Sequence, residues 1–148
     1  MPFALPAKAA KLVVVDANVA LKAALVVDGF AAWRAIRLTA PSLIWSEVAS
    51  GARQLHWRGE ITAAQARSAL ASLGTAGIDL VPSRDLAADA LQLALELGWA
   101  KTYDAEYVAL AVRLGAPLVS SDGRLSARVG AIVGVLTAAG LDELLSRR

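Results

Sequence analysis

Apolar residues along the chain alternate between short β-branched runs and longer stretches with helical spacing. The run from Leu12 to Val15 is short and β-branched, as expected for a buried central strand. Further strand candidates lie at residues 78–81, 117–120 and 131–136. Because helical segments separate these strands, the pattern predicts an α/β fold with a parallel sheet and crossover helices.

Capping residues and glycines predict where the helices begin and end. Thr62 and Gln65 have the spacing of a capping box, which predicts a helix from Thr62 to Leu73 that stops at Gly74. The other predicted helices begin near Asn18, at Pro41 and Ser42, at Ser83, at Thr102 and near Leu141, and those from Ser83 and Thr102 end at Gly98 and Gly115.

The composition is that of a single domain. A chain of 148 residues suits one hydrophobic core. Apolar types make up 57% of it, yet no run approaches the roughly 18 apolar residues of a membrane helix. Residues 1–10 hold two prolines and one charge, without a long apolar segment and cleavage site. We therefore expect a short arm over residues 1–10, a domain over residues 11–148, and a cytoplasmic protein with no membrane association.

Residue counts exclude several kinds of chemistry. The chain has no cysteine, which rules out disulfides, thiolate zinc sites and cysteine nucleophiles. Its only histidine is His56. The formal charge of +2 permits an anionic partner without requiring one.

Four acidic residues lie beside apolar runs, where a solvated carboxylate is not expected. Asp16 ends the first strand and Asp122 follows a later one, which places both at the carboxyl edge of the sheet. Glu47 shares a helical face with Ile44, so its carboxylate points toward the apolar side. Asp104 opens an apolar helical pattern. Together, the four predict an oxygen-ligand site for a divalent cation.

Each acidic residue also has an ordinary structural interpretation. Asp16 is suited to cap the helix that follows it, and Asp122 to form a turn before Gly123. Asp104 in the first turn of a helix is favoured by the helix dipole. Taken singly, the ordinary roles are the simpler explanation; four such placements in one small domain favour a common cause.

The sequence resembles the PIN-domain ribonucleases, and most closely the VapC toxins of bacterial toxin–antitoxin pairs. The similarity runs from about residue 11 to the end of the chain. It is carried by Val14-Val15-Asp16-Ala17-Asn18, by Glu47 in an early helix, by Thr102-Tyr103-Asp104-Ala105-Glu106-Tyr107-Val108-Ala109-Leu110-Ala111, and by Ser120-Ser121-Asp122-Gly123-Arg124-Leu125.

The resemblance implies a single PIN-like α/β/α domain with a central, mainly parallel sheet. It also implies an endoribonuclease that depends on Mg²⁺ or Mn²⁺ and hydrolyses RNA with metal-activated water, acting as the toxin partner of a small antitoxin protein. On this interpretation Asp16, Asp104 and Asp122 are metal ligands, directly or through water, while Glu47 is a ligand or orients the attacking water.

Polar neighbours of these acids match further family positions. Asn18, Thr102 and Ser120 are expected to orient the metal ligands, with helix caps and turn hydrogen bonds as the alternative. RNA contacts are predicted for Arg53, Arg58, Lys101 and Arg124.

Aromatic residues raise two further possibilities. The segment from Arg53 to Arg58 includes Trp57 and suits phosphate contact and base stacking, although a solvated helix face explains it as well. The four tryptophans, Trp33, Trp45, Trp57 and Trp99, are interpreted chiefly as core or interface anchors.

Protein partners are predicted from apolar side chains. The apolar surplus is consistent with a homodimer. Antitoxin contacts are predicted at a helical stripe formed by Val26, Phe30, Trp33 and Ile36, with core packing as the alternative, and the antitoxin is expected to direct a basic side chain at the acidic site.

Other classes fit the sequence less well. A haloacid-dehalogenase-like phosphatase needs a second aspartate two residues after the first, where this chain has Asn18. A dinucleotide-binding module needs a glycine-rich turn after the first strand, and none is present. A catalytically silent PIN-like binding module and a stand-alone PIN ribonuclease remain as alternatives.

Overall fold

Five short parallel strands form one sheet in a computed structural model that describes residues 11–147. The predicted arm, residues 1–10, and Arg148 lie outside the described residues. The order across the sheet is β3-β2-β1-β4-β5. The strands are β1 (Leu12–Val15), β2 (Arg37–Pro41), β3 (Asp79–Val81), β4 (Leu118–Val119) and β5 (Val135–Leu136).

Helices connect the strands, and the described part of the chain contains seven α-helices. They are α1 (Ala17–Ala24), α2 (Ile44–Trp57), α3 (Ala63–Thr75), α4 (Ser83–Leu97), α5 (Tyr103–Leu114), α6 (Gly123–Val129) and α7 (Ala138–Ser146). Helices α1, α2 and α3 contact one another, whereas α4 packs on α5, which lies against β1, β2 and β4. The predicted α/β fold with a parallel sheet is confirmed. No helix within residues 11–147 has the length and apolar character needed to cross a bilayer.

The central strand β1 explains where the site lies. Its valines, Val13 to Val15, are at most 1% exposed, because helices cover both faces of the sheet. Strand β1 pairs with β2 on one side and with β4 on the other. The chain therefore passes from β1 to β2 on one side of β1 and later returns to β4 on its other side. This reversal of strand order creates a crevice at the carboxyl ends of β1 and β4.

Several predicted boundaries are confirmed. Thr62 and Gln65 form the complete capping box at the start of α3, which ends at Thr75 instead of Leu73. Gly98 and Gly115 end their helices with φ of 69° and 58°, a conformation that favours glycine.

Other element predictions are wrong. The segment Arg37–Pro41 is a buried strand that the sequence pattern did not identify, and α2 begins at Ile44, after it. Proline is tolerated there because it occupies the end of the strand. Helix α6 was also not predicted, and α7 begins at Ala138 instead of Leu141. Ser83 is the first residue of α4 and forms no side-chain cap.

The helical stripe predicted through Val26, Phe30, Trp33 and Ile36 does not exist. Helix α1 ends at Ala24, and the following segment turns, with only a short 3-10 helix at Ala31–Trp33. Trp33 and Ile36 are buried in the core, as the alternative interpretation expected.

Candidate active site

Asp16 and Asp122 each begin a helix at the carboxyl edge of the sheet. Oδ1 of Asp16 accepts a hydrogen bond of 2.9 Å from the backbone N–H of Val19. Oδ1 of Asp122 accepts bonds of 2.9 and 3.3 Å from the N–H groups of Arg124 and Leu125. The ordinary capping role is thus present at both residues. Since each cap uses only Oδ1, the second carboxylate oxygen lies outside the cap.

Glu47 is held by a tyrosine from the other side of the sheet. It lies in the first turn of α2, and the hydroxyl of Tyr107 on α5 donates a 2.7 Å hydrogen bond to its Oε1. Burial, followed by the bond to Glu47, raises the pKa of the Tyr107 hydroxyl well above its usual range. Tyr107 therefore stays protonated and serves as a fixed donor to the carboxylate.

Asp16, Glu47 and Asp104 line a single cleft with a volume of about 250 Å³. Ser50 and Gln54 of α2 continue its wall. Asp122 does not line this cleft, but its negative charge raises the pKa of both Asp16 and Asp104. The fold thus brings all four predicted acids into one electrostatic cluster.

Three carboxyl groups in the cluster have raised pKa values. Desolvation by burial is the largest cause for Asp16, Glu47 and Asp104 alike. Repulsion from neighbouring carboxylates adds to it in every case. Hydrogen bonds from Ser120 to Asp16 and from Tyr107 to Glu47 act in the opposite direction. The cluster therefore holds more negative charge than its environment stabilises.

The donor set fits a hard divalent cation that keeps part of its water shell. All four side chains offer carboxylate oxygens, which Mg²⁺ and Mn²⁺ accept. As the side chains stand, however, residues 11–147 contain no group of three or more acidic or histidine side chains arranged to hold an ion. A cation at this site would therefore be held partly through bridging waters, because Mg²⁺ typically keeps several waters and takes only one or two carboxylates directly.

The three predicted supporting residues occupy different positions. Asn18 lines the cleft beside Asp16. Ser120 is buried, and its Oγ accepts a 3.1 Å hydrogen bond from the N–H of Asp122, which fixes the short segment between β4 and α6. Thr102 precedes α5 next to the active-site segment, but its side chain forms no capping bond.

The residues predicted to contact RNA lie in different parts of the structure. Lys101 lines a second cleft of about 340 Å³ together with Glu47 and Asp104. Arg124 is exposed in the first turn of α6. Arg53 faces the groove between α2 and α3, away from the acidic cleft.

Arg58 has an acidic partner of its own. Its Nε lies 3.3 Å from Glu60, in an ion pair whose side chains are both more than half exposed. Such a pair is weak in water and opens readily for a phosphate.

Tyr107 and Glu106 belong to the site, although the sequence pattern predicted no role for either. Glu106 is buried, and its Oε1 has no hydrogen-bond partner among the described residues. Its charge contributes to the raised pKa of both Glu47 and Tyr107. The sequence feature that could have identified Tyr107 is its spacing from Asp104, because the two residues share a helical face.

The raised pKa values predict a pH dependence of stability. The ordinary carboxyl pKa values are 3.8 for Asp and 4.5 for Glu, and the pKa values in the folded protein are higher. At a pH between the ordinary and the folded values, the folded state binds more protons than the unfolded state does. In this window stability therefore falls as pH rises. We expect the metal-free protein to melt at a higher temperature at about pH 5 than at about pH 7. Thermal melts in chelator test this. In Asp16→Asn, the difference in melting temperature between the two pH values should be smaller than in wild type. An equal difference in that variant contradicts the contribution assigned to Asp16.

Comparison with known proteins identifies the fold family. A sequence model of the PIN domain matches residues 13–130. The chain therefore belongs to the PIN-domain family, as its sequence motifs predicted.

Individual relatives agree with this assignment. Over 117 residues, the chain is 41% identical to the VapC ribonuclease Mb0985 of Mycobacterium bovis and to ribonuclease VapC9 of Mycobacterium tuberculosis. Each alignment covers 78% of this chain and 89% of the relative. The predicted resemblance to VapC proteins is confirmed.

Solved structures show the same fold. PAE2754 from Pyrobaculum aerophilum superposes with a TM-score of 0.75 at 24% identity, covering 95% of this chain and 100% of that one. A toxin–antitoxin complex from Klebsiella pneumoniae contains a chain with a TM-score of 0.56 at 22% identity, covering 84% of this chain and 96% of that one. At these identities the likeness concerns the fold.

Proposed function

We propose that this protein is a divalent-metal-dependent endoribonuclease and the toxin of a toxin–antitoxin pair. The observation that carries the proposal is the acidic cluster at the carboxyl edge, with its raised carboxyl pKa values. The similarity to mycobacterial proteins named VapC ribonucleases supports RNA as the substrate. Cleavage of RNA by the purified protein, compared with its carboxylate variants, tests the proposal.

The side chains of the cluster have separate roles in this proposal. Asp16, Asp104 and Asp122 hold Mg²⁺ or Mn²⁺, directly or through water, and Glu47 orients the attacking water molecule. When bound, the cation makes water easier to deprotonate and shields the scissile phosphate from the surrounding carboxylates. Tyr107 keeps the Glu47 carboxylate in place through its 2.7 Å hydrogen bond.

Cations beside the cluster suit an incoming RNA phosphate. Lys101 reaches the second cleft, which shares Glu47 and Asp104 with the acidic site. Arg124 follows Asp122 at the start of α6. We assign both to phosphate contact, because they offset the negative field that the cluster presents to RNA.

We assign the antitoxin to a cleft of about 360 Å³ between the segment after α1 and the end of α3. All four side chains predicted as antitoxin contacts line this cleft, although no helix joins them: Val26, Phe30, Trp33 and Ile36. Val26 is 63% exposed, whereas Trp33 and Ile36 form the floor. A toxin–antitoxin complex among the structures with this fold is consistent with such a partner.

A charged side chain at Val26 is expected to block the partner without harming the enzyme. Val26→Glu should lower capture of the product of the adjacent small gene at least tenfold while RNA cleavage stays within twofold, because desolvating a buried unpaired charge is unfavourable. Val27→Glu is the matched control, since Val27 is 91% exposed and does not line the cleft. Coexpression, pull-down and cleavage assays measure both effects.

Three outcomes of that experiment separate the alternatives. Equal loss of capture in both variants contradicts the assigned surface. Cleavage without any neighbouring partner favours a stand-alone PIN ribonuclease. RNA or protein binding without cleavage favours the catalytically silent module.

Two further features complete the proposal. The homodimer stays a prediction that draws on the apolar composition. We propose a cytoplasmic location, because the proposed RNA substrate and antitoxin would be encountered there.

A further inference from the structure

Trp57, at the C-terminal end of α2, is largely uncovered. Its side chain is 78% exposed, although burying a tryptophan normally contributes strongly to stability. Trp57 is therefore not a core anchor, whereas the predicted alternative of an interface anchor stays a prediction. The guanidinium group of Arg53 lies over its ring, 5.0 Å from the centroid. A cation thus contacts the indole while most of the ring surface stays open to solvent.

The same helix leads from this aromatic residue to the acidic cleft. Glu47, Ser50 and Gln54 of α2 all line that cleft. Arg58 lies on the same helical face, one turn beyond Gln54. With a rise of about 1.5 Å per residue, Trp57 lies roughly 15 Å along the helix from Glu47. An extended single strand covers this distance in a few nucleotides.

The charges around Trp57 are predominantly positive. Arg53 and Arg67 line the neighbouring groove between α2 and α3, whose floor is apolar. Arg58 adds a further cation, held only by its exposed pair with Glu60. Open aromatic surface next to guanidinium groups is the combination that single-stranded nucleic acid uses for base stacking and phosphate contact.

We propose that Trp57 and Arg53 form a nucleobase-stacking platform that holds the RNA strand a few nucleotides away from the phosphate at the acidic cleft. The inference rests on the proposed ribonuclease function and names a substrate-binding subsite for it. A base stacks on the open ring surface of Trp57, and the Arg53 guanidinium contacts a flanking phosphate. Because every base has a π-face, the platform contributes affinity without sequence selectivity.

A platform at this distance acts only on RNA long enough to reach it. Trp57→Ala should raise KM for an oligoribonucleotide of about 12 nucleotides by about tenfold, with kcat within twofold. For an oligoribonucleotide of about 4 nucleotides, which does not reach from the cleft to Trp57, KM should stay unchanged. Trp57→Phe should retain most of the affinity, because it keeps an aromatic face.

Matched variants separate stacking from general surface effects. Leu95→Ala removes another exposed apolar side chain, on α4, and should leave KM unchanged for both lengths. Arg84→Ala is the control for Arg53→Ala, since the Arg84 side chain is 89% exposed on α4. Arg53→Ala should raise KM for the longer RNA, and its effect should shrink as salt is added.

Several results would overturn the platform while leaving the ribonuclease intact. The plainest such result is that Trp57→Ala has a normal KM for the longer RNA, while Asp16→Asn abolishes cleavage. Equal KM changes for both lengths would place the effect at the cleft itself. Loss of antitoxin capture with normal RNA kinetics would show that Trp57 belongs to a protein interface.

Binding of labelled RNA, followed by fluorescence anisotropy, tests the platform even if cleavage fails. If wild type cleaves no RNA yet binds the longer oligoribonucleotide about tenfold more tightly than Trp57→Ala does, the platform stands and the proposed catalytic function falls. Equal binding by the two proteins, or no binding by either, overturns the platform.

Discussion

RNA cleavage is expected to fall about 100-fold or more when Asp16, Asp104 or Asp122 is replaced by asparagine, or Glu47 by glutamine. Each substitution keeps the side-chain size and removes one negative charge from the cluster. Asparagine is also a good helix cap, so Asp16→Asn and Asp122→Asn should preserve the local bonds to the backbone. The loss should therefore appear in catalysis, and the folded structure should remain.

Thermal stability distinguishes this effect from simple unfolding. Because burial and repulsion raise the pKa of Asp16, Glu47 and Asp104, their charges disfavour the metal-free folded state at neutral pH. An amide at one of these positions should leave the melting temperature in chelator equal to or above that of wild type. An inactive variant that also melts at a much lower temperature would not support the mechanism.

A graded result is expected for the residue that positions Glu47. Tyr107→Phe removes the donor of the 2.7 Å hydrogen bond but leaves the carboxylate, so cleavage should fall by about 10-fold, less than in Glu47→Gln. Asp85→Asn and Glu143→Gln are the controls, since both acids are exposed on helices outside the cluster. Both should retain activity within about twofold. Near-normal cleavage by all four cluster variants would rule out the proposed mechanism.

Removing divalent metal is the second change with a large expected effect. Cleavage should drop to background in chelator and return with excess Mg²⁺ or Mn²⁺, since the carboxylates alone repel an RNA phosphate. Metal should also stabilise the fold. At about 100 times the dissociation constant, one site contributes roughly 2.7 kcal/mol, which corresponds to roughly 5 to 10 °C in melting temperature for a domain of this size.

The cluster variants supply the control for the metal effect. In Asp104→Asn the rise in melting temperature with Mn²⁺ should be much smaller, because one ligand charge is missing. Asp85→Asn should respond as wild type does, since its carboxylate lies outside the site. Identical melting temperatures of the wild-type protein in chelator and in saturating Mn²⁺ would contradict a metal site at this edge.

Local sequence determined much of the secondary structure. Features that depend only on neighbours within one or two turns can be predicted from the sequence. They include the β-branched run at Leu12–Val15, the capping box at Thr62 and the terminating glycines Gly98 and Gly115. Strand β2 was missed because Arg37–Pro41 lacks a clear alternating or β-branched pattern and is strand-like only between β1 and β3.

By itself, the sequence also singled out the acidic residues that the proposed mechanism uses. Asp16, Glu47, Asp104 and Asp122 stand out because a carboxylate beside an apolar run needs a partner or a cation. Tertiary structure alone decided their grouping: β4 pairs with β1, and Tyr107 reaches Glu47 across 60 residues of chain. It also decided that Trp33 is buried whereas Trp57 is open. Residue type and local spacing fix chemical capacity, whereas distance and exposure depend on which strands pair and which helix faces are covered.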